Sequence, residues 1–203
     1  MVILRALWKD QRAASAAEFG LIAPILILLL FSVIDAGRFM WEYNRAEKAT
    51  QAGARMAVVT SVVAGGLIAP DFVGVGGLTQ GDRIPASALG TVSCTNTTCT
   101  CTGTCPSGVP GTRNATPFSD IVARMKSLYP AIKDTNVVIE YRGSGLGFAG
   151  DPDISKPQIS PLVTVKLTGM TFQPLGMLKL AAFPMPTFAT TLSAEDLSGA
   201  ESN

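Results

Sequence analysis

The chain has 203 residues, of which only 15% are charged and 47% are hydrophobic, and its formal net charge is +1. This composition indicates a membrane-associated protein and leaves no basic field that could hold nucleic acid. Histidine is absent, so the commonest general base and metal ligand are missing and no histidine-dependent hydrolytic triad can form.

Residues 1–13 form a basic leader, after which the chain becomes apolar. Phe19–Ile34 contains sixteen consecutive uncharged residues, and counting from Ala13 with Glu18 included gives twenty-two residues. A helix needs ~20 residues to cross a bilayer. We predict a transmembrane helix over residues 14–34, with a kink at Pro24 because proline lacks a backbone N–H. The leader carries three cations and one acid, so its side of the membrane is expected to be the cytoplasmic one.

A cleaved secretory signal is the alternative interpretation, because its basic and apolar regions follow the same order. Two features weigh against removal of the span by an ordinary signal peptidase. The apolar run is longer than an ordinary signal core, and no small-x-small cleavage motif leads into a polar start. The sequence that follows, DAGRFMWEYNRAEKATQAGARMAVV, keeps a helical period instead.

The predicted helix continues outside the membrane over residues 35–64, to about Ala64, where two glycines end it. Small or apolar residues recur alternately four and three positions apart and define one seam: Phe39, Tyr43, Ala46, Thr50, Gly53, Ala57 and Thr60. Most charged residues of this segment lie elsewhere on the helix. The outer half of the helix is therefore expected to present a narrow seam to a partner.

The sequence from Arg12 to Ala57 resembles the N-terminus of TadE-like proteins, the minor pilins or pseudopilins of the tight-adherence (Flp) type IVc pilus system. The shared features are a basic leader, an apolar span with an early proline and an Ala-rich outer helix, together with motifs at Glu18-Phe19, Pro24, Asp35 to Arg38, and Ala54-Arg55. The resemblance covers less than a quarter of the chain. The related TadF-like proteins have a similar N-terminus.

This resemblance implies a single-pass protein of the bacterial inner membrane, with its C-terminal region in the periplasm or in an extracellular pilus. It also implies cleavage by a prepilin-type peptidase between Ala13 and Ala14, which makes Glu18 the fifth residue of the mature chain. The family usually has glycine where this chain has Ala13. The implied partners are other pilins and pilus-assembly membrane proteins, besides the lipid bilayer.

Glu18 places a carboxylate almost at the head of the apolar span. Such a group costs a few kcal/mol in hydrocarbon and less near the interface, so we expect it to be paired. The freed N-terminal amine, of Ala14 or of a neighbouring subunit, would be a suitable partner. Glu18 and Phe19 are then candidate subunit-registration residues. The alternative is that Glu18 only marks the water boundary of the span.

Residues 65–118 are rich in Gly, Pro and Thr and are expected to be irregular loop with at most one short strand. Their distinctive segment is CTNTTCTCTGTC, which carries four cysteines: Cys94, Cys99, Cys101 and Cys105. Two disulfides are favoured, with three possible pairings. The spacing does not match paired zinc knuckles, although a four-thiolate metal site and a redox-active pair are alternatives. No cofactor is expected.

Residues 119–203 are expected to form an α+β head. FSDIVARMKSLYPAI predicts an amphipathic helix with Ser119 as its N-cap, and NVVIEYRG, SPLVTVKLTGMTF and FATTLSAE predict antiparallel strands. The glycine-rich RGSGLGFAG between the first two strands is expected to be a hairpin connection, because no helix or ribose-binding acid follows it. The predicted fold is thus a pilin-like long helix, transmembrane in its first half, packed on a small antiparallel sheet with one short extra helix.

A structural, non-enzymatic protein that assembles with other pilins is the function these features favour. A signal-anchored envelope binding module unrelated to pili is the first alternative. A membrane-tethered enzyme or redox protein, centred on the cysteines or on Asp151 and Asp153, is the second, but no nucleophile motif or cofactor fingerprint supports it.

Overall fold

The computed structural model describes residues 11–151, 157–175 and 182–194, with side chains from residue 15 onward. Two α-helices lie in these ranges, α1 (Gln11–Val59) and α2 (Ala115–Leu128). Seven strands accompany them: β1 (Thr91–Cys94), β2 (Cys99–Thr102), β3 (Val137–Arg142), β4 (Leu162–Leu167), β5 (Thr171–Phe172), β6 (Phe183–Pro184) and β7 (Phe188–Ser193). This is the α+β class expected from the sequence.

Two compact units make up the described chain. The first contains the described residues of Met1–Glu42 and Thr171–Phe183, and the second those of Tyr43–Met170 and Pro184–Asn203. Helix α1 contributes its apolar half to the first unit and its amphipathic half to the second.

The second unit is built on a five-stranded antiparallel sheet with the order β2-β1-β3-β4-β7. Alternate residues of the central strands point into the core, as the period of two predicts: Val137, Ile139, Tyr141, Val163, Val165 and Leu167 are all at most 1% exposed. Helix α2 lays one apolar face on the same core through Ile121, Val122 and Met125.

Helix α1 ends at Val59, so the expected continuation to about Ala64 is wrong. Beyond Val59 the chain leaves the helix and runs beside residues 110–114: Gly65 N–H donates to Thr112 O at 2.9 Å, and the Asn114 N–H donates to Val63 O at 2.8 Å. A Cβ on Gly65 would lie 2.7 Å from the Thr112 oxygen. The glycine is therefore needed for this close backbone approach, rather than for ending the helix.

The cysteine-bearing part of residues 65–118 is more regular than expected, because β1 and β2 form a hairpin that extends the main sheet. Helix α2 also begins earlier than expected, at Ala115 after Asn114, whereas Ser119 lies inside it and bonds to Thr116 O at 2.7 Å. Pro117 is tolerated because it falls in the first helical turn, where a backbone N–H has no helical partner.

The glycine-rich connection between β3 and β4 joins two antiparallel neighbours, as expected for a hairpin. Gly145, Gly147 and Gly150 all have positive φ, and Gly147 forms an isolated bridge with Ile159. A dinucleotide-binding turn would instead connect parallel strands through a helix.

Candidate functional site: the long helix and the segments that bind it

The apolar half of α1 has no covering layer from the described chain. Every residue from Ser15 to Ile34 is exposed except the half-buried Ala23, and Phe19 and Leu21 are each 71% exposed. The helix is long and apolar enough to cross a membrane. Its one hydroxyl within the uncharged run is satisfied internally, because Ser32 Oγ donates to Leu28 O at 2.8 Å. The structure therefore has one N-terminal helix compatible with a single-pass membrane anchor.

Glu18 and Phe19 both lie on this exposed surface, near the start of the helix. Pro24 lies inside the helix, and the kink expected there remains a prediction. Ala13 and Ala14 belong to the same helix, although their side chains are outside the described residues, and Asp153 lies outside them altogether. Registration at Glu18 and cleavage before Ala14 thus stay predictions.

Asp35 is the first charged residue after the span, and it is buried within the first unit. Its Oδ1 accepts a hydrogen bond from the Leu175 N–H at 2.8 Å and lies 3.3 Å from Arg38 Nη1. Arg38 continues the network to Glu42 Oε1 at 3.6 Å and donates to Gln173 O at 3.4 Å. The motif from Asp35 to Arg38 therefore binds a segment that lies 140 residues away in the sequence.

Aromatic contacts reinforce this attachment. The Phe172 ring packs edge-on against Phe39, with 5.4 Å between ring centroids, and the Arg38 guanidinium carbon lies 5.4 Å from the Phe172 centroid. Such contacts each contribute about 0.5–1.5 kcal/mol beyond the burial of area. Neither Phe172 nor Leu175 carries a local sequence signal for this role, because the contact is tertiary.

The predicted seam is buried by the chain's own head. Within the second unit, Ala46, Thr50 and Ala57 are at most 1% exposed, and the Tyr43 ring packs against Phe188 at 4.9 Å. A Cβ on Gly53 would lie 2.8 Å from Met125 Sδ. The expectation that this seam faces a separate partner is therefore wrong for its second-unit residues: small side chains let the sheet and α2 approach the helix closely.

All four cysteines form disulfides, Cys94–Cys99 and Cys101–Cys105. The first joins opposed residues of β1 and β2, and the second ties β2 to the turn after it. The two-disulfide interpretation is confirmed, and no thiolate is left for the four-cysteine metal site. Among the described residues there is also no other cluster of His, Cys, Asp or Glu suited to a metal.

Among the described residues outside the span, Tyr141 and Asp82 have shifted pKa values. Burial raises the pKa of Tyr141 to about 12, although the Val63 N–H, which donates to the Tyr141 hydroxyl oxygen at 3.0 Å, opposes the shift. Hydrogen bonds from the Thr79 hydroxyl and N–H lower the pKa of Asp82 below its usual value. Both groups tie loops to neighbouring backbone, which is a structural use of their chemistry.

No curated protein matches the chain, and no solved structure does. The family model of the TadE-like protein matches residues 13–55, which include the leader's last residue, the span and most of the amphipathic half of α1. Residues 13–55 of this chain are thus similar to TadE-like proteins, as the resemblance of its sequence indicated.

Proposed function

We propose that this chain is a minor pilin or pseudopilin that takes part in assembly of a tight-adherence (Flp) pilus. One observation carries the proposal. The TadE-like match at residues 13–55 falls on a helix whose apolar half is exposed on nearly every side. An anchor of this kind can exchange lipid for the apolar helices of other pilins at small cost, because both surroundings are apolar.

The proposed placement is the bacterial inner membrane, with the leader in the cytoplasm and the disulfide-bearing head exported. The disulfides support export, because such bonds persist in oxidising compartments and are rare in the cytosol. A prepilin-type peptidase would cut between Ala13 and Ala14, and Glu18 would then pair with a free N-terminal amine. The role is structural rather than catalytic.

Burial of the seam defines which surface is left for assembly. Because Ala46, Thr50, Gly53 and Ala57 contact the chain's own head, contacts with other pilins would fall mainly on the exposed helix between Ser15 and Ile34. Helix packing in the membrane plane is then the proposed mode of association.

Deletion of the encoding gene tests the proposal. We expect loss of tight-adherence pili from the cell surface, counted by electron microscopy, and restoration by the wild-type gene supplied in trans. An unchanged number and length of pili in the deletion strain would contradict the proposal and favour the envelope binding module.

A further inference from the structure

A second segment of the chain is fixed to the helix at the point where the apolar span ends. The Leu175 N–H and the Gln173 carbonyl bind Asp35 and Arg38, and the Phe172 ring packs on Phe39. All of these residues belong to the first unit, so the attachment is internal to that unit.

The helix fixes the depth of this segment in a bilayer. If Phe19–Ile34 occupies the hydrocarbon, Asp35 lies at its edge, and Arg38 lies about 4.5 Å farther along the helix axis at a rise of 1.5 Å per residue. The headgroup region extends roughly 5–8 Å beyond the hydrocarbon on each side. Residues bonded to Asp35 and Arg38 therefore fall within that region.

The chemistry of the attached residues suits the interface between hydrocarbon and water, where apolar side chains can face the acyl chains. Leu175 is 58% exposed, and Phe183 is 48% exposed. Phe183 lies in β6, which pairs with β5, the strand whose Phe172 packs on Phe39. Meanwhile the Leu175 N–H and the Gln173 carbonyl are satisfied by Asp35 and Arg38, so these backbone groups need no water. The Leu175 and Phe183 side chains are thus exposed, while these two backbone groups are paired within the unit.

We propose that Leu175 and Phe183 form a second membrane contact, in the headgroup layer of the bilayer that holds the span. Asp35 is its positioning residue, because its carboxylate holds the Leu175 backbone against the helix. The proposal rests on the membrane anchorage proposed above. This contact fixes the depth of the helix in the bilayer. An interfacial segment bound to the helix opposes its movement toward the hydrocarbon or toward the water.

Fluorescence quenching in vesicles tests this inference with the full chain. All four native cysteines are in disulfides, so a Leu175→Cys variant can be labelled selectively with a fluorophore. The protein is reconstituted in vesicles of phosphatidylethanolamine and phosphatidylglycerol, and quenching by nitroxide lipids is compared with quenching by aqueous iodide. A Leu26→Cys label serves as the reference for a position within the span.

We expect the label at position 175 to be quenched by shallow nitroxide lipids and to be at least several-fold less accessible to iodide than the same label in an Asp35→Ala background. Asp35→Asn keeps an oxygen for the Leu175 N–H and should retain the protection. That conservative variant also controls for a general loss of folding in Asp35→Ala.

Free access of iodide to position 175, with no quenching by lipid, would overturn the inference. So would shielding from both quenchers, because it would mean that protein covers Leu175. In both of these cases quenching at position 26 would leave the anchorage itself standing. Absence of lipid quenching at position 26 would instead overturn the anchorage, and the second contact with it.

Discussion

Tyr141 combines a large buried ring with a hydroxyl that accepts a hydrogen bond from one backbone N–H. The Val63 N–H donates to that hydroxyl at 3.0 Å, at the point where the chain has left α1 and lies against the core. Replacing Tyr141 with Phe keeps the ring but leaves a buried N–H without its acceptor. We expect the free energy of unfolding to fall by about 1–3 kcal/mol, measured by chemical denaturation in a mild detergent.

Tyr141 also makes the stability of the fold depend on pH in alkaline solution. In the unfolded chain a tyrosine loses its proton near pH 10, whereas the pKa of Tyr141 is raised to about 12 in the folded protein. Between these values the folded state binds more protons, so its stability decreases as pH rises, by up to about 1.4 kcal/mol per pH unit. Tyr141→Phe should show a shallower decrease over this window. Equal slopes in the two proteins would contradict this account of Tyr141.

Glu18 is the residue on which the proposed contact between subunits depends. We expect Glu18→Ala to leave the protein inserted in the membrane, because removing a charge makes the span more apolar. Its co-assembly with other pilins should fall, seen as fewer surface pili in a complemented deletion strain. Glu47→Ala, which removes an exposed acid from the outer half of the helix, is the matched control and should assemble normally. Normal pilus numbers with Glu18→Ala would refute the pairing.

At the scale of the element, α1 depends on small residues where the head packs against it. A leucine at position 53 would collide with Met125 and with Val165, both fully buried. The gain in helix propensity over glycine is about 0.8 kcal/mol, whereas overpacking a core costs about 1–3 kcal/mol. We therefore expect Gly53→Leu to lower stability by up to about 2 kcal/mol, measured by the thermal unfolding of the head.

Gln51→Leu provides the control for Gly53→Leu, because position 51 lies on the exposed side of the same helix two residues away. Its effect should stay within about 0.5 kcal/mol. Similar losses in the two variants would mean that the seam does not pack as described.

The β1–β2 hairpin contains two disulfides with different surroundings. Both close loops of similar length, so loop entropy alone gives each about 2 kcal/mol. Cys94 is fully buried, however, whereas Cys105 is exposed. We expect alanine at Cys94 and Cys99 to destabilise the head more than alanine at Cys101 and Cys105, as measured by parallel denaturation curves. The reverse order would contradict the assignment of the Cys94–Cys99 pair to the core.

Local sequence signals account for the elements that were predicted well. The apolar run and its helical period define α1, and strict alternation identifies β3 and β4, whose buried residues match those expected. Strands β1 and β2 were missed because each has only four residues and lies among Thr, Gly and Pro, where the alternation is too short to stand out. The disulfides could be expected from composition, although their pairing could not.

At the scale of the whole molecule, the contacts within the candidate site are tertiary. Nothing near Asp35 in the sequence indicates Leu175 as its partner, 140 residues away. The end of α1 was misplaced for the same reason: the groups that replace its helical hydrogen bonds, such as the Tyr141 hydroxyl and residues 110–114, come from distant parts of the chain. The similarity to TadE-like proteins can be recognised from the sequence because its features lie within 43 consecutive residues, 13–55.

The central proposal is that α1, from Ala14 onward, is a prepilin-type membrane anchor retained in the mature protein. Intact-mass and N-terminal analysis of the protein extracted from membranes tests it directly. The account predicts a mature chain that begins at Ala14 and stays in the membrane fraction after alkaline carbonate extraction. A soluble chain that begins after Ala36 would show that the span is a removed secretory signal, and an intact Met1 would contradict the processing.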